Sequence, residues 1–137
     1  MPLVAKILPT ECMDHELEMW KKLCALAGIC VPGLFGAYSL EGQNGCEPTG
    51  ALVQQYAGKT LSSFDTLDDQ QRLELYRTVT RIHEAHVEHG DLSPRNVALD
   101  NGRVMVLDFS HSSHHECEGE ANCAELRLLR RGLKLSV

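Results

Sequence analysis

No stretch of this sequence is a long apolar run. Nothing approaches the ~18–20 residues that a membrane span needs, and Met1–Pro9 has no basic region followed by a long apolar stretch, as a secretory signal would. There is no basic surplus either. Thirteen Lys and Arg stand against 19 Asp and Glu, a formal net charge of −6, and no basic cluster exceeds the adjacent Arg130 and Arg131. That balance argues against nucleic acid as partner, as the lack of a long apolar run argues against a membrane. Internal repeats and low-complexity tracts are also lacking. What remains, 137 residues with 43% apolar and 23% charged, is the composition of one soluble globular domain. A chain of this length buries roughly two-thirds of its unfolded surface, enough for a core without metal or disulfide staples. The six cysteines are Cys12, Cys24, Cys30, Cys46, Cys117 and Cys123. With no signal toward an oxidising compartment they are expected to be free thiols, in an intracellular protein of cytoplasm or nucleus.

The apolar run Met1–Leu8, with Lys6 in it, predicts a strand. A helix should follow, with Thr10 as N-cap, Glu11 in the first turn and Gly28 beyond its end. Met13, Leu17, Trp20, Cys24 and Ala27 recur at helical spacing and predict its buried face. Leu34–Leu40 and Ala51–Tyr56 predict two strands around a turn, Glu41–Gly50, rich in glycine. Thr66 and Asp69 resemble a capping box for a long helix from Asp68 to about Glu88, with Leu75, Val79, Ile82 and His86 facing inward. Val97–Leu99 and Val104–Leu107 flank Asp100-Asn101-Gly102, a strong hairpin signal. Ser110–Asn122 is polar and acidic, and a last helix is expected over about Ala121–Arg131, carrying Ala124, Leu128 and Leu129, with Gly132 past its end.

Three polar groups converge on that hairpin. Asn96 begins its first strand, Asp108 leaves its second, and Asp91 lies five residues before Asn96. Antiparallel pairing brings Asn96 and Asp108 to one edge. Carboxylate and amide oxygens are the hard ligands that Mg²⁺ takes when it also holds phosphates. A carboxylate at Asp91 can accept the proton of an attacking hydroxyl.

His89-Gly90-Asp91-Leu92-Ser93-Pro94-Arg95-Asn96 resembles the catalytic loop of the protein kinase-like superfamily, His-x-Asp-x-x-x-x-Asn, and Asp108-Phe109-Ser110 resembles its metal-binding Asp-Phe-Gly. The form His-Gly-Asp is similar to that of aminoglycoside- and choline-type kinases, and the Val31-Pro32 break after the first helix is similar to fungal kinase-like proteins. The resemblance covers Leu3 to about Ser110. It implies an α+β, protein kinase-like fold with a reduced sheet lobe over 1–57 and a reduced helical lobe over 58–137. It also implies ATP and Mg²⁺ as cofactors. Asp91 would be the base and Arg95 a phosphate-side arginine, with Asn96 and Asp108 on the metal. Lys6 would meet the α/β-phosphates, paired with Glu16 or Glu18. In the hinge Gln54-Gln55-Tyr56-Ala57, main-chain groups of Gln55 and Ala57 would meet adenine. His89 is expected to brace the loop from inside.

The departures from the pattern bear on function. Five residues before Lys6 cannot build a glycine-rich phosphate loop, and 27 residues after Ser110 leave no Ala-Pro-Glu segment. Gly90 replaces the arginine that would hold a phosphorylated activation loop, Ser93 stands where a lysine is usual, and Ser110 replaces a glycine. Two further readings therefore accompany ATP-dependent transfer to a protein or small-molecule hydroxyl. One is an inactive, nucleotide- or partner-binding pseudokinase. The other is a fragment of a longer kinase. His111, His114, His115, Cys117 and Cys123 match no common zinc spacing and are expected to be a solvated polar loop, with a redox or weak metal site as the alternative. Glu116, Glu118, Glu120 and Glu125 are expected to form an exposed acidic face that a basic partner could contact.

Overall fold

The computed structural model describes residues 2–42 and 47–136. The turn residues 43–46, Cys46 among them, lie outside the described residues, as do Met1 and Val137. The described residues form eight strands and three α-helices: β1 (Leu3–Pro9), α1 (Thr10–Leu23), β2 (Leu34–Leu40), β3 (Thr49–Gln55), β4 (Lys59–Thr60), α2 (Asp69–Glu84), β5 (Val87–Glu88), β6 (Val97–Asp100), β7 (Arg103–Val106), β8 (Ser113–His114) and α3 (Ala124–Gly132). The first sheet is antiparallel in the order β1-β3-β2, with Lys6 opposite Leu52. A second sheet, β4-β6-β7, contains the expected hairpin, and β5 pairs with β8. The described helices include none long and apolar enough to cross a membrane.

The hairpin forms where the Asn-Gly signal placed it. Val97 pairs with Val106 and Asp100 with Arg103, while Asn101 (φ 51°) and Gly102 (φ 79°) take the left-handed conformations a two-residue turn requires. The α2 start lies two residues beyond the expected cap. Asp68 accepts from the Gln71 N–H at 2.7 Å and Gln71 Oε1 accepts from the Asp68 N–H at 3.0 Å, a reciprocal capping box. Thr66 instead belongs to a short 3₁₀ turn capped by Ser63. At its other end α2 stops at Glu84, because His86 is left-handed (φ 67°) and the chain turns into β5. His86 is therefore exposed, and His83 takes the buried place.

Two more faces differ from expectation. Pro9, not Thr10, occupies the α1 N-cap position, with no side-chain cap, and the Thr10 hydroxyl is buried without a partner. The buried side of α1 is Met13, Glu16, Met19, Trp20 and Leu23, while Cys24 and Ala27 are exposed. Glu16 rotates the face inward because its charge finds a cation inside, which periodicity of apolar residues does not register. In α3, Leu129 is buried together with Leu126, whereas Ala124 and Leu128, the latter 63% exposed, face solvent. The core lies around α2: Leu75, Val79 and Ile82 are fully buried and join Leu23, Val106 and Phe109 in one cluster. Truncating one such leucine or isoleucine to alanine typically costs about 2–5 kcal/mol.

Candidate active site

β1, α1 and the exit of β7 meet at Lys6. Its ammonium bonds the Glu16 carboxylate on α1 and, at 2.9 Å, Asp108 Oδ1, a residue 102 positions away in the chain. Glu18 faces solvent and pairs with Lys21 within the helix, so Glu16 is the partner that touches Lys6. Glu16 is only 3% exposed. Burial lowers the Lys6 pKa, but the bonds from Glu16 and Asp108 outweigh it and hold the ammonium charged above its usual range.

Asp108 is left-handed (φ 63°). Ser110 donates to Asp108 Oδ1 from its hydroxyl at 2.6 Å and its N–H at 3.2 Å, beside Lys6. Burial pushes the carboxyl up, yet the Ser110 hydroxyl, the Lys6 ammonium and the Ser110 N–H more than offset it and bring the pKa to about 2. Among the described residues these bonds all fall on Oδ1. Asn96 is 6% exposed and stands beside Asp108, with the Leu107 N–H donating to the Asn96 carbonyl at 2.7 Å. Its amide nitrogen donates to the Asp91 carbonyl at 2.8 Å and to Asp91 Oδ2 at 3.2 Å, which fixes the orientation of the amide. An Asp Oδ2 and an Asn Oδ1 at adjoining strand ends are a donor set that fits Mg²⁺, a hard cation that keeps part of its water and shares phosphate oxygens.

Asp91 is held by Arg95, whose Nη2 donates to both carboxylate oxygens at 3.0 Å. His89 is fully buried and braces the loop. Its Nε2–H donates to the Leu107 carbonyl at 2.7 Å, and its Nδ1 accepts from the Asp91 N–H at 3.1 Å. The two bonds select one tautomer. Phe109, 1% exposed, fills the space between Trp20 of α1 and His89, with ring centroids 6.1 and 5.1 Å away. Gln55 lies at the end of β3 and turns its side chain away, accepting from the Gly33 N–H at 3.0 Å. Ala57 is buried against Ala98 and Met105, forming an apolar floor beneath the strand exit. Lys6, Glu16, Asp91, Arg95, Asn96 and Asp108 thus come together, whereas Gln55 is engaged elsewhere, its N–H donating to the Gly33 carbonyl at 2.8 Å, and Ala57 lies at the margin.

The segment after Ser110 is not a solvated loop throughout. His15 of α1 bonds the Ser112 carbonyl at 2.7 Å, and the Ser112 hydroxyl donates to the His89 carbonyl at 2.8 Å. The His and Cys residues divide. His111 lies 3.9 Å from Asp91 Oδ2, and His114 bonds Glu116 at 2.7 Å. His115, Cys117 and Cys123 turn inward, toward His83. The acidic run divides as well. Glu125 has a side chain only 11% exposed, because it is bonded to His83 and to two main-chain N–H groups of the catalytic-type loop. Glu120 is bonded by Tyr76 and Arg130. Glu125, expected on an exposed acidic face, is instead mostly buried by these bonds, while His83 carried no functional expectation from sequence. The i, i+4 step from Val79 to His83 was the available signal.

Comparison with known proteins agrees with this architecture. The described fold matches the structure of the Cydia pomonella granulovirus kinase PK-1 with a TM-score of 0.61 at 19% identity, over 82% of this chain and 43% of the viral one. The chain is 34% identical over 89 residues to the KEOPS complex subunit Bud32 of Pyrococcus abyssi, covering 61% of this chain and 40% of that protein. It is 26% identical over 83 residues to a probable bifunctional tRNA threonylcarbamoyladenosine biosynthesis protein of Methanobrevibacter smithii, covering 61% of this chain and 15% of that protein. It thus spans well under half the length of these curated relatives. The family profile described as lipopolysaccharide kinase (Kdo/WaaP) matches residues 46–136. With a reduced kinase-like α+β fold and that match over most of its length, the chain belongs to the lipopolysaccharide kinase (Kdo/WaaP) family.

Proposed function

We propose that this chain carries the ATP and Mg²⁺ site of a phosphotransferase acting on a hydroxyl acceptor, of a protein or a small molecule. The observation that carries the reading is the Lys6–Asp108 pair at 2.9 Å, with Glu16 behind Lys6. It places a fixed cation beside a carboxylate kept ionised, the arrangement that phosphates and a divalent ion need on either side. Lys6, positioned by Glu16, binds the α/β-phosphates. Main-chain groups of Ala57 hold adenine over the Ala57–Ala98 floor. Asp108 and Asn96 hold the Mg²⁺, which when bound would neutralise charge on the phosphate oxygens. Asp91 orients the acceptor hydroxyl and takes its proton as the new O–P bond forms and the bond from the γ-phosphorus to ADP breaks. Arg95 leaves Asp91 to meet the γ-phosphoryl group.

In this reading residues 1–57 act as a small-lobe remnant and 58–137 as a large-lobe remnant. The acidic charge balance disfavours nucleic acid as partner, and the free thiols of Cys12, Cys24, Cys30, Cys117 and Cys123 support residence in cytoplasm or nucleus. One observation favours a binding-only pseudokinase instead: both Asp91 oxygens accept from Arg95, so the base is engaged by its neighbour.

The test is a thermal shift with ATP, with and without Mg²⁺, on wild type and Asp108→Asn. Ligand at ~100 times its Kd adds about 2.7 kcal/mol of stability. A shift that requires Mg²⁺ and is lost in Asp108→Asn is expected. No shift at millimolar ATP would overturn the nucleotide site. A shift without any ADP formed across a panel of hydroxyl acceptors would favour the pseudokinase.

A further inference from the structure

We propose that His83, His115, Cys117 and Cys123 form a structural zinc site that clamps the segment after Asp108 to the end of α2. One ligand atom from each residue falls in a group whose members all lie within 4.8 Å of one another. Zinc bonds of ~2.3 Å to sulfur and ~2.0–2.1 Å to nitrogen, arranged as a tetrahedron, require N–S edges of about 3.6 Å and an S–S edge of about 3.8 Å. Cys123 Sγ is 3.6 Å from His83 Nδ1 and 3.6 Å from His115 Nε2. The widest separation needs to close by about 1 Å to complete that tetrahedron. The two imidazoles meet edge to face, centroids 4.9 Å apart at 79°, with His83 Nδ1 and His115 Nε2 both on Cys123 Sγ.

The surroundings are those of a metal site. Imidazole ligands of zinc commonly donate their other nitrogen to a carboxylate, which sets tautomer and orientation. His83 has such a bond, from Nε2 to Glu125 at 2.8 Å, and His115 has a carboxylate nearby but beyond direct bonding distance, its Nδ1 standing 4.0 Å from Glu88. The sulfurs face main-chain donors: the Gly119 N–H for Cys117, and the N–H groups of Glu125 and Leu126, in the first turn of α3, for Cys123. Two thiolates and two neutral imidazoles balance the charge of Zn²⁺, and binding sends two thiol protons to solvent. Mixed nitrogen and sulfur donors in a closed set of four select zinc over Mg²⁺ or Ca²⁺, and leave no open position for chemistry.

The ligands come from α2, from the chain just after β8, and from the start of α3. The same Glu125 that orients His83 also bonds the His89 and Gly90 N–H groups, so the metal would fasten the catalytic-type loop as well as the segment that follows Asp108. Kinases commonly hold that segment through a phosphate on an arginine, which Gly90 here replaces.

The test is independent of the nucleotide site. The full chain, purified in reductant and passed through a desalting column, is measured by elemental mass spectrometry. It is then reconstituted with Co²⁺ for visible spectroscopy. One zinc per chain is expected, with the intense visible bands of tetrahedral Co²⁺ and a thiolate-to-cobalt transition. His115→Ala and Cys117→Ser, at the half-buried positions, should lose the zinc, and Cys12→Ser should keep it. Three results would overturn the proposal: zinc-free wild type whose Co²⁺ spectrum is octahedral, a Cys117–Cys123 disulfide that persists in reductant, or zinc retained at full stoichiometry by both variants. The wild-type Co²⁺ spectrum decides the matter even where a variant fails to fold.

Discussion

Glu125 on α3 and His83 on α2 are joined at 2.8 Å, and the same carboxylate takes the N–H groups of His89 and Gly90 at 2.9 and 2.8 Å. Burial would push this carboxyl up, but His83 and the two N–H groups outweigh it and hold it below its usual range. One side chain thereby closes the gap between two helices and the loop that carries Asp91. Hydrogen bonds to a charged group are worth about 1.5–3 kcal/mol each, and a donor left buried without a partner adds to the loss. Glu125→Ala should therefore lower stability by about 3 kcal/mol in urea unfolding, while Glu125→Gln, which keeps one acceptor oxygen, should lose about half of that. Amide hydrogen exchange at His89 and Gly90 should rise in both.

Gly90 makes a second claim on the same loop. Its φ is +87°, and a Cβ there would lie 2.2 Å from the His111 carbonyl oxygen, a backbone atom with little room to yield. Gly28 has a similar φ, +79°, with nothing within 4 Å of the added atom. The pair separates conformational strain from collision. Gly28→Ala should cost about 1 kcal/mol for the left-handed backbone alone. Gly90→Ala should cost at least about twice that, with the excess reporting displacement of residues 110–112. Equal losses in denaturant melts would mean that the loop and the segment beneath it separate easily.

Lys6 and Glu16 allow fold and function to be pulled apart. Lys6→Met leaves Glu16, 3% exposed, without its cation. Orphaning a buried charge typically costs about 3–5 kcal/mol, and the 30% exposure of the Lys6 side chain moves the expectation to the lower end of that range, about 3 kcal/mol. Lys6→Met with Glu16→Met removes both charges and should recover most of the loss, since an ion pair replaced by apolar groups is often neutral. Neither variant should show the Mg²⁺-dependent ATP shift. Recovery of stability without recovery of the shift would mark the pair as functional equipment rather than a fold requirement.

What the sequence made legible was local. Asn101-Gly102 predicts its own hairpin, and the hairpin carries Asn96 and Asp108 to one edge without further information. Lys6 could be assigned a partner only by contact, because Glu16 and Glu18 are both plausible on a helix whose inner face was not yet known. The charge at Glu16 broke the apolar periodicity and moved the inferred face toward Cys24 and Ala27. His83 was missed for a related reason. The stripe through Leu75, Val79 and Ile82 was extended to His86, but α2 ends at Glu84, and a left-handed His86 faces solvent beside His114. The Cys and His residues after β8 make no recognisable zinc spacing without His83, which lies in another element and enters only through tertiary packing.

The start of α2 offers a direct contest between a sequence motif and the formed structure. Thr66 followed by Asp69 has the right spacing for a capping box, but the bonds are made by Asp68 and Gln71. Removing a working N-cap costs typically ~1 kcal/mol. Asp68→Ala should show that loss, because it leaves the Gln71 N–H of the first turn without its acceptor and frees the Gln71 side chain. Thr66→Ala gives up only the exposed bond from its hydroxyl to the Ser63 carbonyl, and should stay within about 0.5 kcal/mol of wild type. The measurement is a pair of urea unfolding curves. A larger loss at Thr66 than at Asp68 would move the helix start back to Thr66.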